Sequence, residues 1–383
     1  MIGRNFYPNQ YKRTAVPRIN HNYLSDQFSD HQKILEKVAE VVRHGDFTLG
    51  QAVDRFEQDF LSVAGGRHAI GVGSGTDALF LSLKALGVGH GDEVITTAFT
   101  FYATVGAIVT AGARPVFVDI GPDYNILAAD IEKCISSRTR AILPVHWAGV
   151  PCDMEAIGDV AKRHGLKVVA DACHAIGATL DDRLIADWAD LSCFSLHPLK
   201  NLNVWGDGGV IVTDNEDLAK QLSMLRNHGL VDRDTCNVWA YNSRLDTIQA
   251  VVAQYVLDHK LDHITARRRA NAAAMDSALS AVPGVKLPPR APNKVPAYHL
   301  YMARYDQRDR LQEYLLERGI DAKVHYPTPM HLQPAAKDFG YGRGDFPAAE
   351  ALAASCLSLP VHEHVSDADI DFMATQIREF YAC

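Results

Sequence analysis

A single lysine, Lys200, stands in a polar link between two short apolar runs. The first run, residues 191–196, is followed by His197 and Pro198, and a Gly-Asp-Gly-Gly turn at 206–209 leads into the second. Such a loop can hold one amine in a fixed position, and a lysine amine forms Schiff bases when its surroundings lower its pKa. A solvated loop lysine has the same local sequence, so residues elsewhere must decide between these interpretations.

Two further segments have the residue types of a cofactor site. Ser74, Gly75 and Thr76 follow an apolar run and open a helical pattern. Free N–H groups at a helix start bind phosphate, although the same residues also make an ordinary N-cap. Asp171 ends another apolar run. A buried carboxylate needs a partner, and a protonated pyridine nitrogen is suitable, while capping of the following turn is the alternative.

Phe101 and Asn242 are weaker candidates. Phe101 follows the apolar run 93–97, where its ring could stack on a flat cofactor or belong to the core. Asn242 precedes a long helical pattern and could be only its N-cap. A phosphate cradle, an aromatic ring, a carboxylate and a lysine, in this order, are the parts that bind pyridoxal 5'-phosphate (PLP).

These residues fall at the ends of predicted strands in an α/β pattern. Apolar runs without polar alternation predict strands buried on both faces of a mostly parallel, seven-stranded sheet flanked by helices. In such a sheet a ligand lies beyond the carboxyl ends of the strands. Because a loop and not a helix joins the last two strands, one of them is expected to run antiparallel. The predicted strands are 69–72, 93–97, 115–119, 141–145, 167–171, 191–195 and 210–213, and the helices between them include 76–86, 102–111 and 154–164.

The chain is too long for one ordinary core, which indicates two domains. We expect a large PLP-binding α/β domain at 20–250, after an N-terminal segment at 1–19. A small α+β domain at 251–383 begins within a long helix, 243–281, which is expected to be either straight or kinked. The domain has strands at 298–305 and 322–325, a helix at 308–318 and two closing helices.

Composition excludes several classes of protein. The net charge of -8 without a notable basic run argues against nucleic-acid binding. No apolar run approaches the roughly 18 residues of a membrane span, and the start lacks the apolar core of a signal peptide. The seven cysteines are scattered without any C-x-x-C spacing. They predict free thiols in a reducing cytoplasm and neither a disulfide framework nor a zinc site.

Seven short motifs give the chain a family resemblance from about Pro17 to its end. It resembles the DegT/DnrJ/EryC1/StrS family of PLP-dependent sugar aminotransferases, which have the fold type I, aspartate-aminotransferase-like fold. The motifs are GSGTDA at 73–78, GDEVIT at 91–96, PVH at 144–146, DACHAIG at 171–177, FSLHPLK at 194–200, GDGG at 206–209 and YNSRLD at 241–246.

The resemblance assigns a role to each candidate. Lys200 becomes the Schiff-base lysine, Asp171 the partner of the pyridine nitrogen, and Phe101 the ring over the cofactor. Asn242 is expected to reach the phosphate of the neighbouring subunit, which implies a homodimer with shared sites. The other implied cofactor residues are Ser74, Gly75, Thr76 and Ser195 at the phosphate and His174 near the 3'-oxygen, and the implied substrate residues are Trp147, His325 and Tyr326.

The implied reaction is a ping-pong transamination, with pyridoxamine 5'-phosphate as the intermediate form of the cofactor. The expected amino donor is glutamate. The expected acceptor is a keto- or aldehydo-sugar used in lipopolysaccharide or polysaccharide biosynthesis, either a nucleotide-linked keto-deoxysugar or an 8-oxo-octulosonate. Alternatives are a keto-cyclitol aminotransferase, a sugar dehydratase, a lyase or desulfurase of the same fold, and a catalytically silent PLP-binding regulator. The glycine-free stretch 180–187 departs from the family pattern and is expected to shape the sugar pocket.

Overall fold

A computed structural model describes residues 18–382, and the predicted N-terminal segment lies mostly outside them. The strands are β1 His68–Val72, β2 Glu93–Thr97, β3 Arg114–Val118, β4 Thr139–Leu143, β5 Lys167–Asp171, β6 Thr179–Leu180, β7 Arg183–Leu184, β8 Leu191–Ser195, β9 Gly209–Thr213, β10 Val285–Lys286, β11 Lys294–Val295, β12 Tyr301–Tyr305 and β13 Cys356–Leu359. The α-helices are α1 Leu24–Gln27, α2 His31–His44, α3 Gln51–Ala64, α4 Gly75–Ala85, α5 Tyr102–Thr110, α6 Ala128–Ile131, α7 Met154–His164, α8 Glu216–Leu225, α9 Thr247–His259, α10 Leu261–Leu279, α11 Arg308–Glu317, α12 Pro347–Ser355 and α13 Asp367–Ala382.

The predicted seven-stranded sheet is present, in the order β1-β9-β8-β5-β4-β2-β3. Strand β9 pairs antiparallel with both β1 and β8, whereas β8, β5, β4, β2 and β3 run parallel. This confirms the α/β fold class and the antiparallel strand after the lysine loop. Because the carboxyl ends of β2, β4, β5 and β8 meet at one edge, the loops that follow them are brought together.

The predicted helix at 243–281 is divided into two helices, in agreement with the kinked alternative. Helix α9 ends at His259 and α10 begins at Leu261, with Lys260 at φ -130° and ψ -34° between them. No proline or glycine marks the break. The Lys260 ammonium donates to the carbonyl of Gln27 and pairs with Asp30. The break between the two helices therefore coincides with contacts to a distant segment of the chain.

The C-terminal part has its own three-stranded sheet, β10-β12-β13, packed against α10, α11 and α13. The predicted strand at 322–325 is wrong: these residues form a loop with one bridge, from Lys323 to Ser358. Strand β13, which pairs with β12, was missed. It follows α12 directly, without a turn that would separate the two patterns. Among the described residues, no helix combines the length and apolar character that crossing a membrane requires.

Candidate active site

An inner cavity of about 320 Å³ opens beyond the carboxyl ends of the parallel strands. Every predicted site residue except Asn242 lines it: Ser74, Gly75, Thr76, Phe101, Trp147, Asp171, His174, Ser195, Lys200, His325 and Tyr326. A larger cavity of about 710 Å³, between residues 121–163 and 289–298, contains none of them. The residues that the sequence singled out therefore converge in one place.

The start of helix α4 forms one wall of the inner cavity. Ser74 is its N-cap, and the Ser74 hydroxyl accepts a hydrogen bond from the N–H of Asp77 at 3.0 Å. The first N–H groups of a helix have no acceptor within it and attract anions. A Cβ atom on Gly75 would lie 2.7 Å from the Cβ of Ser195, so glycine lets α4 approach the end of β8. Backbone N–H groups and the Ser195 hydroxyl thus suit a phosphate.

Asp171 ends strand β5 and is 5% exposed. One carboxylate oxygen accepts a hydrogen bond from the Thr104 hydroxyl at 2.8 Å, and Thr104 is itself bonded to Thr100. The other oxygen accepts from the N–H of Cys173 at 3.2 Å. These contacts hold the Asp171 side chain in one orientation. The sequence analysis missed both threonines, whose spacing of four residues at the start of α5 was the available signal.

Lys200 lies in the loop between β8 and β9, and its backbone N–H donates to the carbonyl of His197 at 2.8 Å. Burial lowers the pKa of the Lys200 amine, and the nearby Cys173 thiol and Asp171 carboxylate oppose this shift. A lowered pKa increases the fraction of neutral amine, which is the nucleophilic form.

A reciprocal amide pair braces the lysine loop. The Gln27 and Asn203 side chains donate to each other at 3.2 and 2.9 Å, and Asn203 also donates to the carbonyl of Pro198. Gln27 is 3% exposed and Asn203 is fully buried. The Tyr23 hydroxyl donates to the carbonyl of Lys200 at 3.5 Å. The chain before the large sheet therefore supports the loop that carries the amine.

Three ring nitrogens at this site are buried without a protein partner: Trp147 Nε1, His174 Nδ1 and His299 Nδ1. Burial, followed by the charge of Lys200, lowers the pKa of His174 and of His299 well below the usual range, so both imidazoles are neutral near pH 7. Their ring centres are 4.3 Å apart. Buried polar atoms without partners indicate a polar ligand. His299 was not predicted, because nothing in its local sequence distinguishes it.

The backbone before His299 has an uncommon conformation. Tyr298 adopts φ 47°, in the left-handed region that side chains other than glycine rarely occupy. Arg268 donates to the carbonyls of Tyr298 and His299, both at 3.2 Å, and fixes this turn. A Cβ atom on Gly149 would lie 2.6 Å from the carbonyl oxygen of His174. A bulkier residue at position 149 would therefore push this backbone away from that of His174. This packing presents the His299 ring to the cavity.

Phe101, His325 and Tyr326 form the outer side of the cavity. Phe101 is 45% exposed, and its ring centre lies 5.7 Å from that of Tyr326. The His325 Nδ1 and the Ser358 hydroxyl are 2.6 Å apart, and burial lowers the pKa of His325 to about 4. The peptide bond between His325 and Tyr326 is cis.

Asn242 lies outside the inner cavity and is exposed. It is not the N-cap of the following helix, since Asp246 occupies that position of α9. The next residue, Ser243, accepts from the N–H of Gly73 at 3.0 Å and donates to Asp77 at 2.8 Å. These bonds tie the Asn242 loop to the start of α4 in the same chain.

The stretch 180–187 is not among the residues that line the inner cavity of this chain, and its expected part in the sugar pocket stays a prediction. It contains the hairpin turn between β6 and β7, with Asp181 and Asp182 at φ 49° and 60°. The hairpin pairs with β11, and Asn293 donates to Asp181. These contacts direct it towards the segment at 293–295.

Comparison with known proteins decides the family. Residues 29–378 match the DegT/DnrJ/EryC1/StrS aminotransferase family. The chain belongs to this family. It is a PLP-dependent aminotransferase with the fold of the type I enzymes.

This aminotransferase is similar to named proteins over nearly all of its length. It is 43% identical to dTDP-3-amino-3,4,6-trideoxy-alpha-D-glucose transaminase of Streptomyces venezuelae, covering 86% of each chain. It is 41% identical to the pleiotropic regulatory protein of Geobacillus stearothermophilus, covering 94% of this chain and 97% of that protein. The crystal structure of S. venezuelae DesV with a ketimine intermediate aligns with a TM-score of 0.93 and 39% identity, covering 96% of this chain and 99% of that one.

The residues that line the inner cavity of the aminotransferase have the chemical groups that each part of PLP requires. The start of α4 with Ser195 suits the phosphate, and the Asp171 carboxylate suits a protonated ring nitrogen. The unpartnered His174 nitrogen suits a polar ring substituent, and Phe101 offers an aromatic face. Lys200 supplies the amine.

Proposed function

We propose that this aminotransferase moves an amino group from glutamate to the C3 carbonyl of a nucleotide-linked keto-hexose. The observation that carries the proposal is the convergence of Lys200, Asp171 and the start of α4 in one cavity. The substrate class is supported by the S. venezuelae relative, whose name specifies a nucleotide-linked 3-amino sugar. The likeness to that relative extends over 86% of the chain, so it favours a nucleotide sugar over an octulosonate or a cyclitol.

The cofactor-side residues of the inner cavity have proposed tasks. Ser74, Gly75, Thr76 and Ser195 hold the cofactor phosphate, Asp171 holds the pyridine nitrogen in its protonated form, and His174 and Phe101 contact the ring. When bound, PLP supplies an electron-withdrawing ring that stabilises negative charge at the carbon bearing the amino group.

Lys200 is the proposed acid and base. Its neutral Nζ atom takes the proton from the α-carbon of glutamate, and its ammonium form returns a proton to C3 of the sugar in the second half-reaction. The lowered pKa keeps the two forms of the amine closer in free energy near pH 7. Glutamate leaves as its oxo acid before the sugar binds, so one cavity serves both substrates in turn.

Lys200 and Asp171 also bear on the alternatives. By the family resemblance, the related sugar dehydratases have His in place of this lysine, so Lys200 argues against them. The name of the G. stearothermophilus relative raises the alternative of a catalytically silent regulator. Such a regulator has no need for a buried amine of lowered pKa, as Lys200 has, beside a hydrogen-bonded carboxylate, as Asp171 has. We therefore favour catalysis.

We also propose that Asn242 acts in the cavity of a second copy. It is exposed, beside a loop that carries Val238, Trp239 and Tyr241 at 44%, 95% and 38% exposure. Exposed apolar clusters are typical of interaction surfaces. A two-fold dimer in which each loop covers the other subunit's cavity would bury these side chains and bring Asn242 to the partner's phosphate.

The test is a separation of the two half-reactions. The PLP-loaded protein is mixed with glutamate, and the cofactor absorbance is followed; then dTDP-linked 3-keto sugars and an 8-oxo-octulosonate are added in parallel. We expect conversion by glutamate and recovery with the 3-keto sugar. If glutamate does not change the cofactor absorbance, glutamate is not the donor. If the absorbance recovers only with the octulosonate, the acceptor is not a nucleotide-linked 3-keto sugar.

A further inference from the structure

A second cavity, the outer chamber, adjoins the inner cavity and has a volume of about 680 Å³. The two share Leu199, Leu300, His299, His325 and Tyr326. A ligand in the outer chamber can therefore extend a reactive carbon towards Lys200. Its volume falls within the range of cavities that enclose small organic ligands.

The outer chamber is built by segments that lie far apart in the sequence. Ile19 bridges to Ile320, and the N–H of His21 donates to Asp321 at 3.3 Å. His362 lies 2.8 Å from the carbonyl of Asn20, and its ring stacks on Tyr23 with centres 4.6 Å apart. Residues 19–23 are thus held over the chamber, which places the His21 side chain in its wall.

The charges around the outer chamber are matched. The Lys323 ammonium lies 2.8 Å from the Asp321 carboxylate, and the buried Arg268 guanidinium lies 3.7 Å from Glu363. Burial is the main cause that lowers the pKa of His21, and it lowers that of His362 to about 4, so these imidazoles are neutral near pH 7. Among the described lining residues, each cation therefore has its own carboxylate.

A matched set of charges suits an uncharged ligand better than a diphosphate. Proteins bind phosphate groups with helix N-termini, or with Arg and Lys side chains whose positive charge is not already neutralised by a carboxylate. Among the described lining residues, the ring nitrogens without a protein hydrogen-bond partner are Nδ1 of His21 and Nδ1 of His299. They stand among the aromatic side chains of Tyr23, Tyr102 and Tyr326. Aromatic walls with a few hydrogen-bonding groups are the usual lining of a site for a neutral organic molecule.

We infer that the outer chamber receives the uncharged sugar ring of the acceptor, with His21 and His299 bonded to its hydroxyl groups, while the nucleotide diphosphate lies outside it. This inference rests on the proposed function, because it takes the acceptor to be a nucleotide sugar. It makes His21 a specificity-determining residue for the acceptor.

Binding of dTDP-glucose and of dTDP to the PLP-loaded protein, measured by calorimetry, tests this inference. His21→Leu removes the imidazole and keeps the backbone bond to Asp321. We expect this variant to bind dTDP-glucose about fivefold to tenfold more weakly, which corresponds to the loss of one hydrogen bond. Its affinity for dTDP should change by less than about twofold. His21→Asn, which keeps a polar side chain, should recover part of the loss.

His364→Leu is the matched control, because His364 lies near the same aromatic rings but outside the chamber lining. The rate of cofactor conversion by glutamate should be the same in His364→Leu as in the wild type. If His21→Leu weakens both ligands equally, the chamber takes the nucleotide and the inference is wrong; no effect on either ligand would also overturn it. A wild-type protein that binds neither ligand would instead refute the nucleotide-sugar proposal, and the inference with it.

Discussion

The inner cavity and the outer chamber share a boundary but are built in different ways. The cofactor side of the inner cavity comes from loops that follow neighbouring strands of one sheet, between Ser74 and Lys200. The outer chamber joins residues 20–23, 268, 299–300, 321–327 and 361–362 through bridges, side-chain bonds and ring contacts. The first arrangement positions reacting groups on a rigid sheet edge. The second leaves the shape of the substrate pocket to segments that can change without altering the sheet.

Replacement of Lys200 by alanine should separate the two regions most strongly. We expect kcat/KM to fall by at least about a thousandfold, because both nucleophile and base are lost. Binding of dTDP-glucose should remain within about twofold. Lys167→Ala, at an exposed lysine paired with Asp190, is the control. A Lys200→Ala enzyme that retains a tenth of the wild-type rate would refute the assignment.

Asp171→Asn should have the next largest effect. The amide keeps the size of the side chain but removes the negative charge, and we expect both half-reactions to slow by about a hundredfold. Thr104→Val, which removes one bond to the carboxylate, should slow them by only about threefold to tenfold. Stopped-flow absorbance gives both rates. An effect of Asp171→Asn on one half-reaction alone would contradict the proposed role.

Acid should destabilise the protein through the outer chamber. The pKa values of His325 and His362 are lowered to about 4 in the folded state, whereas an unfolded histidine titrates near 6.5. Their stabilising contribution is complete above pH 6.5 and is lost as pH falls to about 4, because the unfolded state binds the protons first.

Each group contributes about 1.4 kcal/mol per pH unit over that window. Urea denaturation at a series of pH values measures the slope, which His362→Gln should reduce by about that amount. An unchanged slope would show that His362 does not titrate in this way.

The Gln27–Asn203 pair should show the cost of leaving one buried amide alone. Asn203→Leu leaves Gln27 unsatisfied and should lower the free energy of unfolding by about 2 kcal/mol, whereas the double variant Gln27→Leu with Asn203→Leu should recover much of this loss. Asn293→Leu, at an exposed amide bonded to Asp181, is the control. Additive losses in the double variant would show that the two amides do not act as a pair.

Asn242→Ala should have the smallest effect, with cofactor affinity about tenfold weaker. In a shared-site dimer, subunits carrying Asn242→Ala and subunits carrying Lys200→Ala should complement each other. Random mixing gives half heterodimers with one intact site each, so at a limiting PLP concentration the heterodimers alone should supply about a quarter of the wild-type activity. Asn237→Ala, in the same exposed loop, is the control. A mixture no more active than half of the Asn242→Ala parent would exclude shared sites.

The difference between the two regions also explains what the sequence could predict. Runs such as 93–97 and 167–171 have the length and residue types of buried strands, so the sheet edge and the residues beyond it follow from local pattern. His21 and His299 have no such pattern, because long-range contacts and the conformation of Tyr298 bring them to the chamber. Strand β13 was missed for a similar reason: pairing with β12, and not the short sequence CLSL, makes it a strand.

The bridge from Ile19 to Ile320 has a consequence for the order in which the chain can be completed during synthesis. The seven strands of the large sheet have left the ribosome once residue 213 has emerged, and domains generally fold in this N-terminal-first order. Residues 19–23 emerge first of all the described wall residues, yet their partners at 320–321 and 362 emerge near the end. The earliest described residues of the pocket are therefore among the last to reach their final positions.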